Sequence, residues 1–272
     1  MNDIETQMVC ILKDLKASYS LAGVKAEFEA EGTRTEELMR LKEICTLAQT
    51  PLVLKIGGCE AIRDMYDARS IGVNMLVAPM AETPFAVQKY LRAVRNVFPP
   101  DEIEIVDVLV NIETIQAVRN FEAMLKIPEI RDLSGVVLGR VDLVGSLGLD
   151  RKSVNSEEVY AIALKMFTLA KKRKMECVLG GAISADSLSF LRKLPGGLVD
   201  RYETRKICFR CPEALGDNAI DGIQKAVQFE LLWLKNKRNY YRTISDEDKK
   251  RIVMLENRCH KRPKELMSQK AG

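Results

Sequence analysis

Two carboxylates stand at equivalent places in this 272-residue chain: Glu113 follows the apolar run VLVNI, and Asp142 follows GVVLGRV. Each run reads as a strand ending in an acid, with a helix-like stretch between them. In a parallel α/β fold, ligands bind beyond the carboxyl ends of the strands, so both acids would reach one site. Two oxygen donors brought together there suit a hard divalent cation, Mg²⁺ or Mn²⁺. The competing reading is a pair of strand-end acids that cap loops or helices, a common use of Asp and Glu. Lys55 interrupts PLVLKIGG near its end, where an ammonium could meet an anionic ligand or a glutamate. In VKAEFEAEG the period is two: Ala26, Phe28 and Ala30 alternate with Lys25, Glu27, Glu29 and Glu31. Three glutamates on one face crowd like charges unless a cation or basic side chains sit among them; an exposed edge strand is the alternative. Glu82 and Thr83 mark the junction after NMLVAPM, and Asn111 and Thr114 flank Glu113.

The elements that must position these residues follow from periodicity. A first helix, Asp3 to Lys16, gathers Met8, Ile11, Leu12 and Leu15 on one face. A second opens on Thr33 and Glu36 as a candidate capping box, turns Leu38, Leu41, Ile44, Cys45 and Ala48 inward, and stops at Pro51. PLVLKIGG, NMLVAPM, EIVDVLV, LSGVVLG and ECVLGG read as strands, and PLVLKIGG, nearly all apolar, as one buried on both faces. Helices separate them, one carrying Pro84 in its first turn, where its missing N–H is harmless. GSLGLDRKSVN reads as a glycine-rich rim loop, and GLVDRYETRKICF as the last strand region. A long helix, Asn218 to about Lys237, is expected to carry Ile220, Ile223, Val227, Leu231 and Leu234 along one side, followed by a helix broken at Pro263.

Seven strands alternating with helices predict an α/β chain folded as a (β/α)8 TIM barrel with additional terminal helices. The eighth strand is expected near the N-terminus or in KICF. An open doubly wound sheet is the alternative, but functional-looking residues end at least five strands, and a barrel gathers these at a single mouth. Residues 1–237 are read as a single barrel domain with an N-terminal helix, and 238–272 as a basic C-terminal helical extension.

Composition narrows the class. No charged-then-apolar leader opens the chain and no apolar run reaches spanning length, so no membrane role is expected. Of seven cysteines, Cys45 and Cys177 fall where buried thiols belong, which predicts a reducing, cytoplasmic setting and no thiol metal centre. The net charge of +4 is uneven: from Lys235 onward there are twelve Lys or Arg against five Asp or Glu. Such an end suits an anionic partner, but no zinc-finger, RNP or recognition-helix signature accompanies it, so nucleic acid is not the expected partner.

GVNMLVAPMAET, VLVNIET and GVVLGRVDLVGSLG, in this order, resemble the HpcH/HpaI aldolase and citrate lyase β family of the pyruvate and phosphoenolpyruvate barrels, over roughly Val24 to Cys208. The resemblance implies that Glu113 and Asp142 hold Mg²⁺ or Mn²⁺, and that Asn111 stands where the family has an amide, more typically glutamine. It implies that backbone at Gly139 and Arg140, the family's Gly-Pro segment, seats a keto-acid carboxylate. The family's aspartate, glutamate and histidine fall on Glu27, Glu29 and Ala30, so the histidine is missing; the only histidine, His260, lies in the basic end. The family's arginine falls on Lys55, which keeps the charge without the bidentate fork.

The expected function is a metal-dependent carbon–carbon lyase acting on a 2-oxo acid or related small carboxylate through an enolate. Lys55, Glu27 and Glu29 are the catalytic candidates, and Asn111, Gly139, Arg140 and Glu82 the substrate-binding ones. The resemblance also implies a homo-oligomer with exchanged terminal helices. The alternatives are a non-catalytic anion- or nucleic-acid-binding protein on a barrel scaffold, or a diverged barrel enzyme with different chemistry.

Overall fold

A computed structural model describes residues 1–260. Eight strands close into one barrel in sequence order: β1 (Leu21–Glu27), β2 (Leu52–Lys55), β3 (Met75–Ala78), β4 (Asp107–Ile112), β5 (Gly135–Gly139), β6 (Glu176–Gly180), β7 (Arg201–Glu203) and β8 (Ile207–Arg210). Each strand from β1 to β6 runs parallel to the next. The helices are α1 (Asp3–Ser18), α2 (Thr35–Leu47), α3 (Ile62–Ile71), α4 (Pro84–Val97), the short α5 (Pro100–Ile103), α6 (Ile115–Met124), α7 (Arg140–Ser146), α8 (Glu157–Lys171), α9 (Ser187–Lys193) and α10 (Ala219–His260).

The period of two explains the two cores. Val53, Val77, Leu109, Val137, Val178 and Cys208 fill the barrel, while Leu52, Leu54, Leu76, Val108, Val110, Val136 and Leu138 face outward and merge with the apolar faces of the helices. Both faces are buried, so these strands are apolar without alternation. Towards the carboxyl ends the inward positions change character, becoming Lys25, Glu27, Lys55, Asn111, Gly139, Gly180 and Glu203.

The eighth strand is KICF, and it is antiparallel to both β7 and β1. Only Thr204, Arg205 and Lys206 separate β7 from β8. A parallel crossover needs a dozen or more residues, so a hairpin is the one connection this length permits. The turn is tied down by the Thr204 N–H donating to the Ile207 carbonyl at 2.9 Å and the Ile207 N–H donating to Thr204 Oγ1 at 3.1 Å.

Several local expectations shift. β1 ends at Glu27, leaving Glu29 and Glu31 in the following loop, and a closed barrel gives β1 no exposed edge. Helix α2 is capped at Arg34, whose N–H donates to the Glu37 carboxylate at 3.2 Å, one residue past the Thr33 and Glu36 expected. Thr33 is taken by the loop: its N–H donates to the Glu27 carbonyl at 3.2 Å. The glycine-rich rim is α7 followed by a 3-10 turn, Arg151–Asn155.

Helix α10 is continuous from Ala219 to His260, across position 237; the break expected at Pro263 lies outside the described residues. Its expected apolar side divides in two. Ile223, Ala226, Phe229 and Trp233 pack on the barrel, whereas Ile220, Val227, Leu231 and Leu234 form a separate exposed stripe. At 100° per residue, Ile223 lies on the flank of that stripe nearer Ala226. No described helix is long and apolar enough to cross a membrane.

Candidate active site at the barrel mouth

Glu113 directly follows β4 and is 1% exposed. Its Oε1 accepts the Met80 backbone N–H at 3.0 Å. Its Oε2 accepts the Asn111 amide at 2.7 Å and the Lys55 ammonium at 3.4 Å. Met80 holds a left-handed backbone, φ 49°, costly for a side-chain-bearing residue, and its N–H points at the carboxylate. Gly139 gives Glu113 its room: a Cβ there would stand 2.6 Å from Oε2.

Lys55 ends β2 and reaches Glu29 Oε2 at 3.2 Å as well as Glu113. Burial works against its charge, but Glu113, then Glu29 and Glu27, outweigh it and raise its pKa. Glu27 lies opposite Lys55 in the β1–β2 register. It pairs with Lys25 at 3.0 Å and Arg205 at 2.8 Å. Burial alone would raise its pKa; Lys25 above all, then Lys55 and Arg205, bring it down to about 2. Lys25 continues to Glu203 at 2.7 Å, and Gly180 leaves the space for that carboxylate, since a Cβ there would be 3.0 Å from Glu203 Oε1. Lys25 is buried, which disfavours its charge, yet Glu203 and Glu27 raise its pKa well above the ordinary lysine value.

The other expected residues occupy different surroundings. Asp142 is exposed in the first turn of α7, where a carboxylate complements the helix dipole. Together with Met80, Thr114, Ser146 and Arg151 it lines a shallow depression on the rim. Glu82 accepts the Thr114 hydroxyl at 2.7 Å. The Arg140 side chain is fully buried and turned away from Glu113. It donates to the carbonyls of Gly180, Gly181 and Val154, to Asn155 Oδ1 and to Ser187 Oγ. Desolvation pulls its pKa down to about 10, which still leaves it charged at neutral pH. Only backbone at Gly139 and Arg140 can serve a ligand, the role the resemblance implies for them.

Lys25, Glu203, Arg205 and Met80 belong to the mouth without having been singled out for it. Lys25 carried a signal, since it shares the period-two face of Glu27. Glu203 and Arg205 sit in a polar run, Arg201 to Arg205, that could complete the mouth or brace the barrel, with bracing the favoured reading from sequence. Arg201 does brace, pairing with Glu176 at 2.7 Å towards the opposite end of the barrel. Against the expectation of cysteines scattered with no Cys-x-x-Cys pair, Cys208 and Cys211 have that spacing. Burial pushes both thiols up to about 12, so neither is a ready thiolate.

The oxygen-rich donor set fits a hard divalent ion. Among the described residues Asp142 has no hydrogen-bond or ion-pair partner, and Asn111 Oδ1 is buried with none. The amide orientation is determined, because the Asn111 NH₂ faces Glu113 and a flip would set oxygen against oxygen. The carboxylates of Glu27, Glu29, Glu31, Glu82, Glu113, Asp142 and Glu203 also outnumber the cations Lys25, Lys55, Arg151, Arg205 and Lys206. A mouth with excess negative charge repels an anionic substrate unless a cation joins it. No group of three or more His, Cys, Asp or Glu side chains with metal-holding geometry occurs among the described residues, so water or substrate oxygens would have to complete any coordination sphere.

A model of the HpcH/HpaI aldolase/citrate lyase family matches residues 42–189. The chain is similar in fold to an HpcH/HpaI aldolase from Desulfitobacterium hafniense DCB-2, with 14% identity, 66% of this chain and 85% of that one covered, and a TM-score of 0.55. An HpcH/HpaI aldolase/citrate lyase family protein from Burkholderia cenocepacia J2315 gives 16% identity, 70% and 80% coverage and a TM-score of 0.56. The citrate synthase SbnG gives 16% identity, 85% and 90% coverage and a TM-score of 0.59. At such identities the likeness is one of fold. Among curated proteins none matches the sequence.

Proposed function

Because the chain belongs to the HpcH/HpaI aldolase/citrate lyase family, we propose that it is a metal-dependent carbon–carbon lyase acting on a 2-oxo acid through an enolate. The observation that carries this reading is the contact cluster of Lys55, Asn111 and Glu113 at the mouth of a barrel of that family. Glu113 and Asp142 would hold Mg²⁺ or Mn²⁺. When bound, the ion supplies Lewis-acid stabilisation of the negative charge that develops as the enolate forms.

The protein's own groups divide the remaining work. Lys55 offers a cation to the substrate carboxylate or to the developing enolate oxygen. Backbone at Gly139 and Arg140 seats the carboxylate, and the rigid bonds of the Arg140 side chain hold that backbone in place. Asn111 Oδ1 is aimed to accept a hydrogen bond. With histidine replaced by Ala30, a carboxylate must move the proton. Glu27, held at a pKa of about 2 between Lys25 and Arg205, is too weak a base. Glu29 is the better candidate, since its side chain is 30% exposed and has one ion pair, with Lys55.

The test is exchange of the C3 protons of pyruvate with deuterated water, followed by proton NMR. It requires no knowledge of the acceptor aldehyde. Exchange should depend on Mg²⁺ or Mn²⁺ and should fall at least about a hundredfold in Glu113→Gln and Asp142→Asn. Metal-independent exchange, or none with either pyruvate or oxaloacetate, would overturn the proposal.

A further inference from the structure

Lys55 touches both the candidate metal ligand Glu113 and the candidate base Glu29. Glu113 is almost completely buried, and a buried carboxylate without a counter-charge costs several kcal/mol. Its three donors are not equivalent. Met80 donates from backbone, and Asn111 is held by the β4–β5 register. The Lys55 ammonium, on a flexible four-carbon stem, can withdraw further than the short Asn111 amide without moving the main chain.

The lysine contact is also the longest of the three, at 3.4 Å against 3.0 Å and 2.7 Å. Oε2 already accepts two donors, Asn111 and Lys55, so a cation seated on this oxygen competes with the ammonium for a lone pair and is repelled by its charge. Asn111 Oδ1, buried and unpartnered on the residue that also bonds Glu113 Oε2, is a further acceptor for an incoming charge.

Resting on the metal reading above, we propose that Lys55 is the resident counter-cation of Glu113, displaced from the carboxylate by the divalent ion and thereby released to meet the substrate anion. Lysine suits this exchange better than arginine, whose planar fork can grip a carboxylate through two parallel hydrogen bonds. Metal loading and substrate capture are then coupled through one side chain: the ion that completes the site also frees the cation that the substrate needs.

Calorimetry on the full chain tests this, with MnCl₂ alone and then with pyruvate at saturating Mn²⁺. Lys55→Met should bind Mn²⁺ about tenfold more tightly than the wild type and bind pyruvate at least about tenfold more weakly. Lys55→Arg, which keeps the charge and the fold, should bind Mn²⁺ no more tightly than the wild type. Opposite signs for metal and pyruvate are not what a bracing role produces. Unchanged or weaker Mn²⁺ binding by a folded Lys55→Met chain overturns the proposal. So does a Mn²⁺-loaded crystal in which Nζ still contacts Glu113 Oε2. Absence of Mn²⁺ binding in both chains removes the metal reading itself, and this inference with it.

Discussion

Gly139 lies so close to Glu113 that a Cβ built on the glycine would stand 2.6 Å from the Oε2 oxygen and 2.8 Å from the Glu113 Cβ. The second distance matters more, because the Cβ of Glu113 cannot rotate away as a carboxylate tip can. Gly139→Ala should therefore push Glu113 off Asn111 and Met80 while leaving every charge in place. We expect a stability loss of about 1–3 kcal/mol by urea denaturation and weakened Mn²⁺ binding by calorimetry. An alanine variant with wild-type metal affinity would separate Glu113 from metal binding.

Glu27 should make stability depend on acid pH. Its pKa falls from 4.5 in the unfolded chain to about 2 in the fold, so the folded state binds the carboxylate proton less well. The contribution, about 3 kcal/mol, is fully present above pH 4.5 and is lost as the pH falls towards 2. Urea midpoints of the wild type and Glu27→Gln should differ most at pH 6–7 and converge as the pH approaches about 2. A difference that does not change with pH would mean that Glu27 acts through packing alone.

Glu29 and Glu27 should separate kinetically. Glu29→Gln should slow deuterium exchange into pyruvate by at least about tenfold, while its denaturation midpoint changes little because the side chain is part-exposed. Glu29→Asp should recover part of the rate. Equal exchange rates in Glu29→Gln and the wild type would reject Glu29 as the base.

Arg140 should matter for stability and only indirectly for chemistry. Its guanidinium serves the carbonyls of Gly180, Gly181 and Val154 from a fully buried position. Arg140→Leu leaves those carbonyls without donors, and we expect a loss of at least about 3 kcal/mol. Chemical denaturation reads this directly; a loss below about 1 kcal/mol would show that water replaces the guanidinium.

The exposed stripe on α10 should control assembly. Ile220, Val227, Leu231 and Leu234 are 45%, 57%, 50% and 53% exposed, and family resemblance implies a homo-oligomer. Light scattering of the intact chain should give a multiple of 30.6 kDa. The double variant Val227→Glu, Leu231→Glu should give a smaller species. A monomeric wild type would remove the expectation.

Much of this protein is decided locally and can be read from one dimension. The alternation of apolar strands with capped helices is written in periods of two and 3.6, and it determines a barrel once the strand count is near eight. The placing of Lys55, Asn111 and Glu113 at strand ends follows from the same pattern, because the end of an apolar run marks the end of a strand. GLVDRYETRKICF reads as one strand region in sequence; the fold divides it into β7 and β8, and the three residues between them then leave room only for an antiparallel hairpin.

What only the tertiary structure decided is which of these residues meet. Lys25 and Glu203 are 178 positions apart and touch because β8 closes the barrel between them. Arg140 reads as part of a ligand loop, but its direction depends on carbonyls contributed by β6 and the segment after α7. The two faces of α10 share one helical repeat, and only contact with the barrel assigns Ile223 to one and Val227 to the other. Periodicity reports which side of an element is apolar. Pairing of charges, exposure of Asp142 and burial of Glu113 depend on neighbours from other strands, and those are brought together by chain closure.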